Sequence, residues 1–228
     1  MDSDTLPTAK SEILNRVQQL YDLKNRFFVG KDLKTLTENR DVSVEKQVLE
    51  TLAFIEVTSE SLEGKDRTIA SFAKGKTLNI RQEYSEEAFE NLSRTVKMSP
   101  NMTEAWIELG NCFWKKGDID NALNCFESAK KLDPKNKECL RSLSIVTRSI
   151  RPTSDKNLIE RLDKSLSLAK EAVEIDMTDG SSWTILGNAY LTLYCSSPRQ
   201  DTSLLRQCKV AYTRAKGDPI EASQPDFL

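Results

Sequence analysis

Residues 103 to 136 read TEAWIELGNCFWKKGDIDNALNCFESAKKLDPKN. Trp106, Leu109, Gly110 and Phe113 recur at the spacing of one helical face, and Ala122, Phe126, Ala129 and Leu132 at that of a second. Gly117 and Asp118 between them supply a turn, with Asp118 placed to accept from the free N–H groups that open the second helix. Pro134 follows where the chain must stop being helical. Gly110 and Ala122 are small, as two helices in close approach require, and Trp106, Phe113 and Phe126 fill the flanking space. Asn101 with Glu104 three residues on reads as a capping box at the start. The stretch is therefore a helix-turn-helix.

Ten of its positions fall at the spacing of the tetratricopeptide repeat, whose period is 34 residues. Two further copies follow, each with an insertion of nine residues between its helices. Leu140, Leu143, Ser165, Ala169, Ala172 and Ile175 mark the next; Trp183, Leu186, Gly187, Tyr190, Cys208, Tyr212 and Ala215 mark the third. Trp106 and Trp183 stand 77 residues apart, two periods and nine residues, which supports one register. Upstream, Gly75, Leu78, Ala88, Leu92 and Pro100 form a copy without the Trp. Ahead of that, Ile13, Val17, Leu20, Tyr21, Phe27 and Phe28 share a helical face, as do Val44, Val48, Leu52, Ile55 and Leu62. Gly30 and the polar run to Asp41 connect these two helices.

The expected fold class is all-α, a tetratricopeptide-repeat right-handed helical solenoid with an N-terminal helical cap. The cap covers 1–66, a degenerate repeat 67–102, a regular repeat 103–136, repeats with insertions 137–179 and 180–218, and the start of a truncated further repeat 219–228. The insertions 151–157 and 196–202 carry Pro and polar residues and are expected to project as loops.

Composition narrows function. The chain has 228 residues, 33 Lys plus Arg against 35 Asp plus Glu, and no histidine. Without imidazole there is no Ser-His-Asp or Cys-His activation and no His-ligated zinc site. Neither a P-loop, a GxGxxG nor a DxDxDG calcium loop is present. No enzyme, no cofactor and no metal is expected. A net charge of −2 gives no global attraction to nucleic acid or anionic membrane. Lys115, Lys116, Lys130, Lys131, Lys135 and Lys137 cluster near one repeat, but lysines at helix ends commonly compensate the dipole, so direct nucleic-acid binding is not expected. No apolar run reaches the roughly 18 residues of a membrane span, and the N-terminus has no signal-like apolar region. An intracellular soluble protein is expected, its five cysteines serving as buried small hydrophobes.

In a stack of helix pairs the first helix of each lines the concave side. Counting from Trp106, the inner face carries Glu104, Ile107, Asn111, Trp114 and Lys115, then Arg141, Ile145 and Arg148, then Thr184, Asn188 and Leu191. Asn111 and Asn188 suit an extended peptide backbone, since an amide both donates and accepts. Arg141 and Arg148, two turns apart, can fork onto carboxylates. The carboxylate clamp for a chaperone tail needs a Lys four residues before each Asn; Ile107 and Thr184 stand there instead, so that ligand is not expected.

The strings KTLNIRQEYSEEAFENLSRTVKMSP, WKKGDIDNALNCF, LSIVTRSIR and DGSSWTILGNAYLTLY, in that order and with those insertions, resemble the tetratricopeptide repeat protein five (Strap) family from about Ile13 onward. The resemblance implies a non-enzymatic adaptor with a cytoplasmic and a nuclear role. In the first, it would recognise the N-terminal peptide of nascent tubulin at the ribosome and recruit an mRNA-decay adaptor and deadenylase. In the second, it would be a stress-responsive transcription cofactor assembling acetyltransferase complexes. Arg148 matches a groove arginine of the family that meets the nascent peptide, Asp226 an acidic groove residue, and Arg94 and Lys97 a basic pair facing the ribosome. Family members continue through further repeats into an OB-fold domain, which implies that this chain carries only part of the groove.

Overall fold

A computed structural model describes residues 8–31, 39–60, 62, 64, 66–150, 155–196 and 201–223. Among the described residues there are eleven α-helices and no strand. They are α1 (Ala9–Arg26), α2 (Arg40–Ser59), α3 (Asp66–Asn79), α4 (Glu86–Met98), α5 (Thr103–Lys116), α6 (Ile119–Leu132), α7 (Lys137–Ser149), α8 (Asp155–Ile175), α9 (Gly180–Ser196), α10 (Thr202–Ala215) and α11 (Pro219–Ala222). Seven open on a side-chain cap, from Thr8, Asn39, Ser85, Asp118, Asn136, Asp201 and Asp218, each accepting from a backbone N–H two or three residues on. Asp118 caps α6 as expected, beside Gly117 at φ +82°. The box at Asn101 lies one residue off: Met102 O takes the first i+4 bond, from Trp106, so Met102 holds the cap position of α5.

The chain forms two compact units, Met1–Lys116 and Gly117–Leu228. In the first, α1, α2 and α3 pack on one another, α4 on α3, and α5 on both α3 and α4. Ile13, Val17, Ile55, Leu62, Ala70 and Ala73 form one apolar cluster, and Leu20, Val44, Val48 and Ile80 another. Leu52 and Phe28 are only half-buried. Gly75 is required by closeness, because a Cβ there would sit 2.7 Å from Leu92 Cγ on α4.

In the second unit α7 packs on α6, α8 and α9, and α9 on α8, α10 and α11. Leu166, Ala169, Val173, Leu186, Ala189, Tyr190, Cys208 and Ala211 make its main cluster. Gly187 plays the part of Gly75: a Cβ there would lie 2.6 Å from the Tyr212 ring. In the intervening copy, Ser144 takes the glycine position. Its hydroxyl donates to Ser165 O at 2.9 Å, and Ser165 returns a bond to Ser144 O at 2.8 Å. Small side chains, apolar or reciprocally bonded, are what each close approach admits.

The first insertion differs from expectation where it is described. Its residues 155–157 open a lengthened helix: α8 has 21 residues where α6 has 14, and Leu158, Leu162, Leu166, Ala169 and Val173 continue one apolar stripe along it. Residues 151–154 and 197–200 lie outside the described ones. Four cysteines are buried, and burial pushes the Cys125 thiol up to about 11 and that of Cys139 up to about 12. Cys195, at the end of α9, is exposed and does not serve as a core hydrophobe.

Candidate peptide-binding site

Two indoles show that the repeats share a register. Trp106 Nε1 donates to Pro100 O, and Trp183 Nε1 to Met177 O, each across six residues and at 2.8 Å. Each fastens the turn that leads into the first helix of its repeat.

In the first unit, the expected inner face of α5 is largely occupied from within. Lys115 Nζ donates to the backbone carbonyl of Asn79, to Asn79 Oδ1 at 2.8 Å and to Arg81 O at 2.7 Å, so its three hydrogens all have partners. Lys24 of α1 donates to Ile80 O at 2.7 Å. The two ammonium groups thus satisfy carbonyls that the end of α3 leaves open. Burial lowers the pKa of both. Next to them Glu108, 4% exposed, accepts from Asn79 Nδ2 at 2.7 Å and Tyr21 OH at 3.2 Å, with Lys76 Nζ at 3.9 Å. Lys115 is therefore a helix clamp. Asn111 is half-buried on the same face. Ile107 is 2% exposed and belongs to the core, whereas Trp114 is 36% exposed. Arg94 and Lys97 are exposed on α4, and Arg94 borders a groove of about 550 Å³ with Ile55, Ser59, Arg67, Ser71 and Asn91.

In the second unit, Arg141 Nη1 donates to Asp179 Oδ2 at 2.5 Å. Asp179 also accepts from the Ser182 amide at 3.0 Å and the Ser182 hydroxyl, and lies 3.3 Å from Lys137 Nζ. Burial works to raise the Asp179 carboxyl, but the Ser182 bond and the two cations hold it below the usual range. One repeat on, Thr184 donates to Glu221 Oε2 at 2.9 Å, Ser181 to Glu221 Oε1 at 2.5 Å, and Gly180 N to Asp218 Oδ2 at 2.9 Å. Asn188 Oδ1 accepts from Tyr212 OH at 2.6 Å. The carboxylate expected for Arg141 is thus supplied by the chain itself, and Thr184 joins two repeats.

Arg148 is different. It is half-buried on α7 near Tyr212, and among the described residues its one hydrogen bond is a long one, 3.5 Å from Nη1 to Ser144 Oγ. No carboxylate pairs with it among the described residues, and burial depresses its pKa. A guanidinium drawn out of water without a counter-charge costs several kcal/mol, and an incoming carboxylate would offset much of that. Asp226 lies outside the described residues.

A tetratricopeptide repeat family model matches residues 103–136. Tetratricopeptide repeat protein 5 of Homo sapiens is 36% identical over 212 residues, covering 92% of this chain and 47% of the human protein, and that of Mus musculus gives the same figures. The chain belongs to the tetratricopeptide repeat protein 5 family. It spans about half the length of the curated relatives it matches. Among solved structures, MamA (41-end) from Desulfovibrio magneticus RS-1 superposes with TM-score 0.56 at 15% identity, covering 92% of this chain and 98% of that one. YrrB, a TPR protein with an unusual peptide-binding site, superposes with TM-score 0.52 at 17% identity, covering 76% and 84%. These likenesses bear on the fold alone: an all-α tetratricopeptide-repeat solenoid.

What the sequence reading missed in this family member is Glu108. The signal was present, since Glu104, Glu108, Asn111 and Lys115 lie at i, i+4, i+7 and i+11 and so share one face. Ile107, expected on the open face of α5, is instead buried in the core.

Proposed function

We propose that this chain is a non-enzymatic adaptor that binds an extended peptide over the α7–α9 face of its second unit, with Arg148 receiving a peptide carboxylate. The observation that carries the reading is the guanidinium of Arg148, half-buried near Tyr212 and without a carboxylate partner among the described residues, on a face where Arg141, Thr184 and Asn188 are held by Asp179, Glu221 and Tyr212. Rigid surroundings lower the ordering cost of binding.

Family membership directs the choice of peptide to the N-terminus of nascent tubulin leaving the ribosome, with decay of tubulin mRNA as the consequence. Arg94 and Lys97, exposed together on α4, suit a contact with ribosomal phosphates. The test is recovery of tubulin-synthesising ribosomes with the tagged protein. Arg148→Glu is expected to abolish recovery and Arg94→Glu with Lys97→Glu to weaken it in a salt-dependent way. Undiminished recovery with Arg148→Glu would overturn the carboxylate assignment. Association with acetyltransferase complexes in stressed nuclei, with tubulin mRNA stability unchanged on deletion of the gene, would favour the transcription-cofactor role instead.

A further inference from the structure

α2 has two faces, only one of which the fold uses. Val44, Val48, Thr51 and Ile55 are buried in the first unit. On the other side Val42, Lys46, Leu49, Ala53, Glu56 and Glu60 are all exposed, and they recur at alternating spacings of four and three. That is the spacing of a coiled-coil seam, where successive seam positions come alternately from the two core positions of a heptad. Val42 is 67% exposed, Leu49 58% and the adjoining Val57 74%, so three large apolar side chains line one helix in water. Single exposed aliphatics need no explanation, but an aligned set does.

The charges on this seam choose among its possible partners. In a parallel pair each seam residue meets its own copy, which would place Lys46 on Lys46, Glu56 on Glu56 and Glu60 on Glu60. In an antiparallel pair about a two-fold axis near Thr51, residues equidistant from that midpoint meet. Lys46 then faces Glu56, Leu49 faces Ala53, and each pairing occurs twice. The large-on-small match of Leu49 with Ala53 lets two helices approach closely at the axis. Lys46 pairs with no carboxylate among the described residues, and Glu56 has only Lys74 Nζ at 3.8 Å, with 78% of its side chain exposed. Both are available.

We propose that the outer face of α2 is a self-recognition surface on which two copies of this chain pair as an antiparallel, two-fold coiled coil through a central Leu49–Ala53 match and reciprocal Lys46–Glu56 ion pairs, with Val42 packing on the aliphatic stem of Glu60 at each end. The seam from Val42 to Glu60 is about 27 Å long at about 1.5 Å per residue. An interface of that size belongs to the weak, reversible class. The pairing leaves the α7–α9 face uninvolved, so it stands or falls separately from peptide binding.

Sedimentation velocity on the full chain from about 1 to 200 μM, the span a weak interface calls for, provides the test. The mass should rise toward twice that of the monomer. Lys46→Glu should hold the protein monomeric throughout, with an unchanged helical circular dichroism spectrum. Combining it with Glu56→Lys should restore the dimer, because the pair is re-formed with its charges exchanged. A protein monomeric at every concentration, a dimer indifferent to Lys46→Glu, or a double variant that stays monomeric would each overturn the proposal. So would capture of the seam by a different protein with no self-association.

Discussion

Arg141 on α7 and Asp179 at the head of α9 lie 2.5 Å apart, Nη1 to Oδ2, and this contact is repeated in kind one repeat later by Thr184 and Glu221. In both cases the side chain four residues into a first helix reaches an acidic residue at the opening of the next one. Asp179 serves twice, since it also accepts from Ser182 N as a helix cap does. Its removal therefore loses a cap and leaves Arg141 without its counter-charge. Asp179→Ala should cost about 3 kcal/mol of stability, by the measure of a partly buried pair broken from one side. Lys137→Ala, acting at a more exposed pair, should cost no more than about 1 kcal/mol. Urea unfolding followed by circular dichroism separates the two.

The same carboxylate makes stability sensitive to acid. Asp179 is held below its unfolded value in the native state, as is Glu45, whose hydrogen bonds from Arg81 are the leading cause. A lowered carboxyl contributes stability that is fully present above the unfolded pKa, near 4, and is lost as pH falls through the native value. The urea midpoint should hold steady from pH 7 to about 5 and fall below about 4. Asp179→Asn should flatten that fall, and an unchanged slope would remove Asp179 from the acid transition.

Glu108 is the buried charge of the first unit, and its neighbours Tyr21, Lys76 and Asn79 come from two other helices. Glu108→Ala strands an amide and a cation together and should cost about 3–5 kcal/mol. Glu108→Gln keeps the shape and one acceptor, so its cost should be about half. If both variants unfold at the same urea concentration, the shape and acceptor that Gln retains contribute nothing, and the ionised carboxylate of Glu108 carries the whole effect.

Much of this architecture could be read from the residues, and the limit of the reading has a physical cause. The spacing of Trp106, Gly110, Gly117 and Ala122 reports each helix's own apolar face, and helix pairs follow from it because neighbours in sequence pack together. The same reasoning placed Trp183 in register with Trp106, and their matching indole bonds agree. It could not say that Lys115 would be taken up by Asn79 and Arg81, or Arg141 by Asp179. Those partners lie 34 to 38 residues away, at the ends of helices whose rotation about their own axes periodicity leaves free within a few tens of degrees. Composition likewise gave no hint that the end of the first insertion, from residue 155, would open a lengthened α8.

Gly187 supplies a test of the close approach between α9 and α10. An alanine Cβ would stand 2.6 Å from Tyr212 Cε1, so the ring must move, and its hydroxyl with it, away from Asn188 Oδ1. Gly187→Ala should destabilise by about 1–3 kcal/mol, the usual range for overpacking, even though alanine is the better helix former. Gly187→Ala combined with Tyr212→Leu should recover part of the loss. No recovery would mean that the strain falls on the helix backbone and not on the ring.

Arg148 sets stability against function. In the free protein its guanidinium is half-buried and, among the described residues, bonded only at length to Ser144, so Arg148→Met, which keeps the aliphatic stem and discards the desolvated charge, should leave stability unchanged or raise it by about 1 kcal/mol. The same substitution should weaken an acidic peptide's binding at least tenfold, the usual loss when a central arginine contact is removed. It should also abolish the part of the affinity that salt screens. Arg148→Lys, which keeps the charge without the bidentate fork, should fall between. Isothermal titration with the peptide, run alongside urea unfolding of each variant, reads both quantities. A binding-competent Arg148→Met protein would show that this arginine is a structural residue whose partner has merely been misplaced, and a strongly destabilised one would show that it is paired in solution. Increased stability together with lost binding is the outcome that a charge kept unpaired for a ligand requires.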